Sequence, residues 1–269
     1  MPGETHDAAR RALAAVPINV GFARAVLDGT AAGELWCDDP AHPRAFHAIH
    51  PYGMSLVWGD GVGDAFGRIV ARVHALRERG ADQWIQVEPR WQDLDWDRAL
   101  EAVPLDAVEQ GSSCVTVRHV RVNFAFDADG SGARPAHEPR DAGWSSRRAT
   151  AGDFPVPGSV VPSAFWPDAT AFLQHGGGVV VEKDGQVGAI AFASYRWDDH
   201  VEIGIETLPA FRRRGLAAAA AAGMVEAVLD AGLTPVWSCR AENVGSYRLA
   251  ERVGFRPTAH LPYFRVRGA

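Results

Sequence analysis

Cysteine is scarce in this 269-residue chain, with three residues at Cys37, Cys114 and Cys239. They are far apart, odd in number and form no C-x-x-C pair. Neither a disulfide framework nor a thiolate zinc site is expected, and a reducing cytoplasm suits them. No apolar run is long enough to cross a bilayer. Residues 1–11 are polar and carry no apolar signal core. The chain is therefore expected in the cytoplasm, without a membrane partner. Positive charge is not in excess either: Lys and Arg number 27 against 33 Asp and Glu, a net charge of −6 with His neutral. Phosphate backbones need a basic face, so no nucleic-acid partner is expected. The negative balance suits a cationic amine substrate, although it is also the ordinary state of a soluble protein. No repeat of fixed period is present, and low complexity is confined to the Ala-rich run 217–222.

What is present is enough apolar sequence for two small lobes: 47% hydrophobic and 22% charged residues. In the first half, residues 7–27 have helical spacing interrupted by Pro17. Short β-rich runs occupy 34–38 and 54–58. A helix is predicted over 66–79, stopped by Gly80, then a strand over 83–87, a helix over 91–102 and a long alternating strand over 115–126. Residues 127–143 are Asp-, Gly-, Pro-, Ser- and His-rich and read as a linker. The organisation is thus an N-terminal α/β lobe (1–126), a linker (127–143) and a second α/β domain (144–269).

The second half is patterned more clearly. A helix over 163–174 ends at three glycines. Strands over 179–182 and 187–195 flank a turn at 183–185, a hairpin signal. A strand over 201–207 comes next, then a helix over 215–230, a strand over 235–239, a helix over 244–252 and one or two strands within 255–266. This is a mixed α/β sheet with one crossover. The crossover begins at the segment 202–217, where a strand runs into an Arg-rich turn that opens a helix. The first amides of a helix lack partners and its dipole adds positive charge, so phosphate is favoured there. Gly215 permits close backbone approach and Ala217 is small. Arg213 or Arg214 can add a charged contact.

Arg212, Gly215 and Ala217 fill the pattern of Gln or Arg, two residues, Gly, one residue, then Gly or Ala. Pro209 precedes it, and Asn243, Ser246, Leu249, Gly254 and Phe255 come after it at the proper separation. Together these resemble the two signatures of the GNAT superfamily of N-acetyltransferases, and residues 146–153 resemble the opening strand of such domains. The wording of residues 202–207, 237–239 and 242–243 is similar to a bacterial subgroup that includes zwittermicin A resistance acetyltransferases, which carry an N-terminal lobe. The resemblance implies a GNAT-type fold preceded by a smaller α/β lobe, itself a candidate degenerate GNAT-like half that dimerises the chain or gates the site. It implies acetyl-CoA as co-substrate, a small-molecule primary amine as acceptor, and no metal. Ile205 and Thr207 would meet the pantetheine arm. The turn residues Arg212, Arg213, Arg214, Gly215, Leu216, Ala217 and Ala218 would hold the pyrophosphate. A splay between strands at Ile203 and Trp237 would admit the thioester, a backbone N–H of strand 201–207 would polarise its carbonyl, and Asn243 would contact the cofactor or the splay.

Amine acetylation needs the neutral amine, whose pKa is about 10.4 when free, so a general base is required. Glu202 and Glu206 share one face of their strand and are the candidates. The family places its base on the opposite parity, at Val201 or Ile203 here, so unless a bulge shifts the register the two carboxylates are structural or contact substrate. The family's acid position, seven residues after Asn243, is Ala250. Ser246 or water is left as proton donor, or the thiolate leaves unaided. A non-catalytic acyl-CoA-binding module is the alternative. Elsewhere, Gly59-x-Gly61-x-Gly63 lacks a full dinucleotide fingerprint and a clear βαβ unit, and reads as a turn. His42, His47 and His50 lie in a Pro-flanked, loop-like stretch without zinc spacing. Trp84, Trp91 and Trp96 read as core or interface.

Overall fold

A computed structural model describes residues 2–108, 116–127, 139 and 142–269. Most of the expected linker, and Cys114, lie outside the described residues. The chain divides into two compact units: Met1–Val122 with Arg240–Glu242 and Ala259–Ala269, and Asn123–Cys239 with Asn243–Thr258.

The first unit opens with α1 (Pro2–Leu13) and α2 (Gly21–Leu27), kept apart by the segment holding Pro17, which has no N–H to continue a helix. Strands β1 (Glu34–Cys37), β2 (Phe46–Ile49) and β3 (Met54–Trp58) pair antiparallel in that order. Helix α3 (Phe66–Glu78) then crosses over to β4 (Gln83–Val87), which lies parallel to β3. Two expectations are corrected here. The Gly59–Gly63 turn does sit inside a βαβ unit. The stretch around His47 is a strand, because Phe46 and Ala48 supply buried side chains that outweigh the flanking prolines. The helix expected over 91–102 shrinks to the single turn α4 (Trp96–Ala99), capped by the Asp95 carboxylate on Arg98 N and ended by Glu101 at φ 50°. Trp91 and Trp96 are buried with Val57, Ile69, Val73 and Ile85. Their indole N–H groups donate to Gly59 O (2.8 Å) and Trp91 O (2.7 Å), so both are core residues. The two-residue strand β5 (Val103–Pro104) pairs with the start of β6 (Thr116–Phe126).

The second unit begins with β7 (Ser145–Arg148), α5 (Ala169–Gln174), β8 (Gly178–Lys183), β9 (Gln186–Trp197) and β10 (His200–Thr207). It continues through α6 (Leu216–Asp230), β11 (Thr234–Arg240), α7 (Val244–Arg252) and β12 (Phe255–Val266). The end of β12 returns to the first unit and pairs antiparallel with β4. Strands run β7-β8-β9-β10-β11, antiparallel except for the β10–β11 pair. Asp184 and Gly185, at φ 50° and 76°, make the left-handed two-residue turn that matches strand twist between β8 and β9. The helix expected over 163–174 is shorter, because Pro167 cannot donate and Asp168 caps a fresh start on Ala171 N at 2.8 Å. Phe165, Phe172 and Phe192 form edge-on aromatic pairs. On β7, Arg147 makes a two-pronged pair with Asp153 (2.7 and 2.9 Å) and a third bond to Glu182 (2.8 Å), while Thr150 and Asp153 close a capping box.

The connection pattern repeats. In each unit two antiparallel steps (β1-β2-β3, β8-β9-β10) lead into a parallel strand through a helix (α3 to β4, α6 to β11). The architecture is α/β with mixed-sheet pairing.

Candidate active site

Strands β10 and β11 pair only where they begin: His200 with Thr234, Val201 with Pro235, Glu202 with Val236. Both strands continue, to Thr207 and Arg240, without further pairing to each other, so they part at Ile203 and Trp237, where the splay is expected. Just behind this fork β9 carries an extra residue: Glu202 faces Tyr195 while Ile203 faces Ala193, which leaves Ser194 as a bulge. Ser194 Oγ donates to the Glu202 carbonyl at 2.9 Å. Because the bulge is in β9, the alternation along β10 is kept, and Glu202 and Glu206 remain on one face.

The two carboxylates differ in their surroundings. Glu206 Oε2 accepts from Ser159 N (3.0 Å), Val160 N (3.2 Å) and Ser159 Oγ (3.4 Å), and Oε1 stands 3.6 Å from the Arg212 guanidinium. It latches the segment before α5 to the strand. Glu202 is 4% exposed and accepts through Oε1 from Ser238 Oγ, a hydroxyl on β11, so it bridges the two strands where they part.

Beyond Thr207 the chain makes a 3-10 turn over Pro209–Phe211, and Phe211 packs edge-on against Trp144. Arg213 and Gly215 adopt left-handed conformations (φ 65° and 79°), and Gly215 is the N-cap of α6. Ala218 and Ala219 both donate to Gly215 O, at 3.0 and 3.3 Å, and no side chain caps the helix. The amides of Leu216 and Ala217 are thereby the open donors. Ala218, although expected to donate, has its N–H engaged. A Cβ built on Gly215 meets nothing within 4 Å, so the backbone there faces open space.

This turn borders a groove of about 330 Å³ whose other wall is α7. Seven of the expected cofactor residues line it: Thr207, Arg212, Arg213, Gly215, Leu216, Ala217 and Ala218. Three do not. Ile205 lies farther back on β10. Arg214 turns aside to place its guanidinium over the Phe211 ring, 5.8 Å from its centroid. Asn243 caps α7 through Oδ1, which accepts from Ser246 N. Arg212 is engaged at once with Thr207 O (3.2 Å) and Glu206. Ser246 Oγ accepts from Trp237 Nε1 at 3.1 Å, and Ala250 is fully buried. The groove also takes in Gly245, Arg248, Leu249 and Arg252, of which only Leu249 stands out in the sequence, as part of the second signature and not as a groove residue. Their spacing of three, four and seven residues is one face of a helix, the signal that would have found them.

The corresponding crossover in the first unit is closed. There β3 and β4 pair along their length, from Met54 with Trp84 to Val57 with Val87. The Glu88 carboxylate, 1% exposed and paired with Arg90, accepts from Gly59 N at 2.7 Å. A Cβ on Gly59 would run into the Arg44 carbonyl. The glycines serve this close approach. Of the three histidines in the same region, His42 is exposed while His47 and His50 are buried, and among the described residues no group of three potential ligands could hold a metal. Nor, among those residues, is any helix long and apolar enough to cross a membrane.

With this geometry in place, comparison with known proteins gives a consistent result. The family described as GNAT acetyltransferase matches residues 145–264. An uncharacterized N-acetyltransferase of Bacillus subtilis (strain 168), YdfB, is 22% identical over 239 residues, 87% of this chain and 86% of its own. Two solved structures share the fold. A GCN5-related N-acetyltransferase-like protein from Streptococcus suis 89/1591 has a TM-score of 0.71 and 20% identity, covering 98% of this chain and 99% of its own. A GCN5-related N-acetyltransferase from Kribbella flavida has a TM-score of 0.57 and 17% identity, over 92% and 94%. Residues 145–264 thus match the GNAT acetyltransferase family, and the chain shares the fold of these GCN5-related N-acetyltransferases.

Proposed function

We propose that the chain moves an acetyl group from acetyl-CoA to the primary amine of a small molecule by direct attack on the thioester. The observation that carries this is the fork between β10 and β11 opening beside a groove with two open helix amides and cationic walls. A CoA-type ligand fits that combination. The Leu216 and Ala217 amides and the Arg213 guanidinium take the pyrophosphate, and the unpaired inner edge of β10 beyond Glu202 takes the amide-bearing arm. When bound, acetyl-CoA supplies the activated acetyl group. Glu202, which stands at the fork and accepts from the Ser238 hydroxyl while Glu206 is bound to the backbone amides of Ser159 and Val160, takes the proton that the acceptor amine must lose. The amine nitrogen gains the acetyl carbon as the carbon–sulfur bond breaks. Ser246 holds its oxygen on Trp237, and its hydroxyl hydrogen has no acceptor among the described residues, so it can donate to the departing sulfur. Ile205, Arg214 and Asn243 act indirectly, by shaping strand, turn and α7. The likeness of residues 202–207 to the zwittermicin A resistance subgroup puts antibiotic-type polyamines and aminoglycosides in the acceptor panel.

Calorimetric titration with acetyl-CoA tests the reading. One molecule should bind per chain, because the first unit's crossover is filled by Glu88. Gly215→Glu, which puts a side chain and a negative charge at φ 79° on the groove, should abolish binding. Unimpaired binding by that variant, or no binding by the native protein, would sink the proposal. Thiol release across the amine panel then identifies the acceptor. Tight binding with no turnover on any amine would leave only the ligand-binding part standing.

A further inference from the structure

From Trp84 and the cations gathered around it we infer that the first unit carries a binding site for a small carboxylate, on the sheet face away from α3. It shares no residue with the groove beside α6 and does not depend on how that groove is read.

Strands β4, β12 and β6 are neighbours in that order. Ile85 and Val87 are buried with Ile69 and Val73 of α3. Alternation therefore turns Trp84 and Gln86 to the opposite face, with Arg265 and Tyr263 beside them in register. The Trp84 ring is half-buried, stacks on Tyr263 with centroids 5.0 Å apart, and meets the His119 ring at 5.1 Å. Two guanidiniums lie over the same indole, Arg240 at 5.0 Å and Arg265 at 5.4 Å from its centroid. Arg121 lies over Tyr263 at 5.2 Å.

Stacking on a ring attracts a guanidinium but leaves its charge in place. This group holds three guanidiniums and one carboxylate. Glu242 Oε1 is shared between His119 Nδ1, at 2.6 Å, and Arg240, at 3.4 Å. Arg265 makes no ion pair among the described residues. Two cations over one ring stand no farther apart than about a Debye length, roughly 10 Å at 0.1 M salt, and so repel in the empty protein. The excess is felt at His119: burial pushes its pKa down, Glu242 opposes this, and the charges of Arg240 and Arg265 push it down again. The chain as a whole has more acidic than basic groups, so composition does not account for a local surplus of cations. Two polar groups on the same face are also unmet. The Trp84 indole N–H has no acceptor among the described residues, whereas those of Trp58, Trp91 and Trp96 donate to carbonyls. Gln86, opposite Tyr263 in register, is fully buried with neither amide atom partnered, a cost that a ligand or its ordered water would relieve. A carboxylate answers this arrangement. Its planar pair of oxygens matches one guanidinium fork, and Arg240 already holds such a group in Glu242. Arg265 and the Trp84 N–H are the donors left for a second.

Two sources share this chemistry: a carboxylate on the acceptor amine, and a free carboxylate that binds apart from transfer. The first test needs no acetyl-CoA. The Trp84 indole N–H resonance of the ¹⁵N-labelled full chain, assigned with Trp84→Phe, is followed during titration with phenylacetate, phenylacetamide and inorganic phosphate. Phenylacetate should shift it saturably and phenylacetamide should not. Arg265→Gln should weaken phenylacetate about tenfold, the worth of one charge-assisted contact, and Arg265→Lys should restore part of the loss. Thermal unfolding of each variant checks that the first unit is intact. The inference is overturned by the absence of a saturable shift, by an equal response to the amide, by native affinity in Arg265→Gln, or by phosphate binding more tightly than phenylacetate. Thiol release with phenylalanine and phenylalaninamide then separates the sources. If the acceptor brings the carboxylate, Arg265→Gln raises KM for phenylalanine alone and phenylacetate competes with it. If the carboxylate is free, phenylacetate still shifts Trp84 and competes with neither amine. A chain that binds phenylacetate at Trp84 but transfers no acetyl group keeps this site and loses the proposed activity.

Discussion

Replacing each strand carboxylate in turn separates chemistry from architecture. Glu202→Gln keeps the volume and keeps an oxygen for Ser238 Oγ to donate to, so the fold should lose no more than about 1 kcal/mol. It removes the proton acceptor, and kcat/KM should fall by about 10²–10⁴-fold, the usual worth of a general base. The deficit should narrow as pH rises toward the amine pKa of about 10.4, because the neutral amine then becomes abundant without help. Glu206 gives the opposite pattern. Its Oε2 accepts from two backbone amides, Ser159 N at 3.0 Å and Val160 N at 3.2 Å. Glutamine retains the geometry but loses the charge, which halves such bonds, so Glu206→Gln should cost about 1–2 kcal/mol. Alanine strands both donors near the surface, where water partly replaces the carboxylate, and should cost about 2–3 kcal/mol. The folded Glu206 variants should keep kcat within about tenfold of native. Urea unfolding followed by tryptophan fluorescence reads the stabilities, and continuous thiol release between pH 6.5 and 9.5 reads the rates. The assignment is refuted if Glu202→Gln turns over at the native rate near neutral pH, or if Glu206→Gln loses the greater part of kcat while remaining folded.

Burial and, for His47, the Arg72 charge push the pKa of His47 down to about 3, and burial pushes that of His50 down to about 4. The unfolded chain takes up protons below pH 6.5 that the folded chain refuses, so stability is full above that value and falls with acidification. The expected loss between pH 7.5 and 5.5 is about 1.4 kcal/mol per histidine. His47→Gln should remove about half of this slope in urea titrations, and a flat native profile would contradict it. Burial pushes the Asp153 carboxyl up, but Arg147 and Thr150 outweigh it and hold the pKa below the usual carboxylate value. That pair therefore contributes above pH 3.8, survives at pH 5.5, and fades only as pH falls through the lowered value. Asp153→Ala should cost about 2–4 kcal/mol at pH 7, since it leaves Arg147 without its two-pronged partner. In Gly188→Ala the new methyl would overlap the Trp144 ring and stand 2.6 Å from Leu216 Cδ1. It should cost about 1–3 kcal/mol and, by displacing the first residue of α6, weaken acetyl-CoA binding. Native affinity in that variant would show that the turn tolerates the shift.

Much of the second unit is legible in the sequence because its local signals agree. Asp184–Gly185 fixes the hairpin, Gly215 and Gly232 bracket α6, and the Arg212–Ala217 turn sits where strand period gives way to helix period. The features that stay hidden depend on partners distant in sequence. Nothing around Ser238 announces a bond to Glu202, 36 residues away. The bulge at Ser194 appears only once β9 and β10 are placed side by side. The strand around His47 is masked because its polar and proline neighbours favour a loop, while packing on β1 and β3 decides otherwise. Arg248 and Arg252 share a helix face by simple spacing. Spacing alone, however, does not tell a groove wall from an ordinary solvated face, and the turn that α7 faces lies more than thirty residues earlier in the chain.

The repeated β-α-β crossover shows why a glycine-rich turn alone does not make a phosphate site. Both units run a strand through a glycine-bearing turn into a helix and back to a parallel strand. The difference lies in how the parallel pair ends and in where a carboxylate points. In the first unit, β4 stays paired with β3 along its length, Glu88 N continues the ladder to Val57 O at 3.0 Å, and the Glu88 carboxylate occupies Gly59 N. An anion is already supplied by the chain, at no cost in translational freedom, so an external phosphate has nothing to gain. In the second unit the ladder stops after three residue pairs, and the carboxylate at the fork, Glu202, points across to Ser238 instead of back to the turn. The α6 amides stay open, and the groove is left to cations. The position of one carboxylate relative to the turn, after β4 in one unit and before the turn in the other, decides whether the same connection closes on itself or is left free to take a ligand.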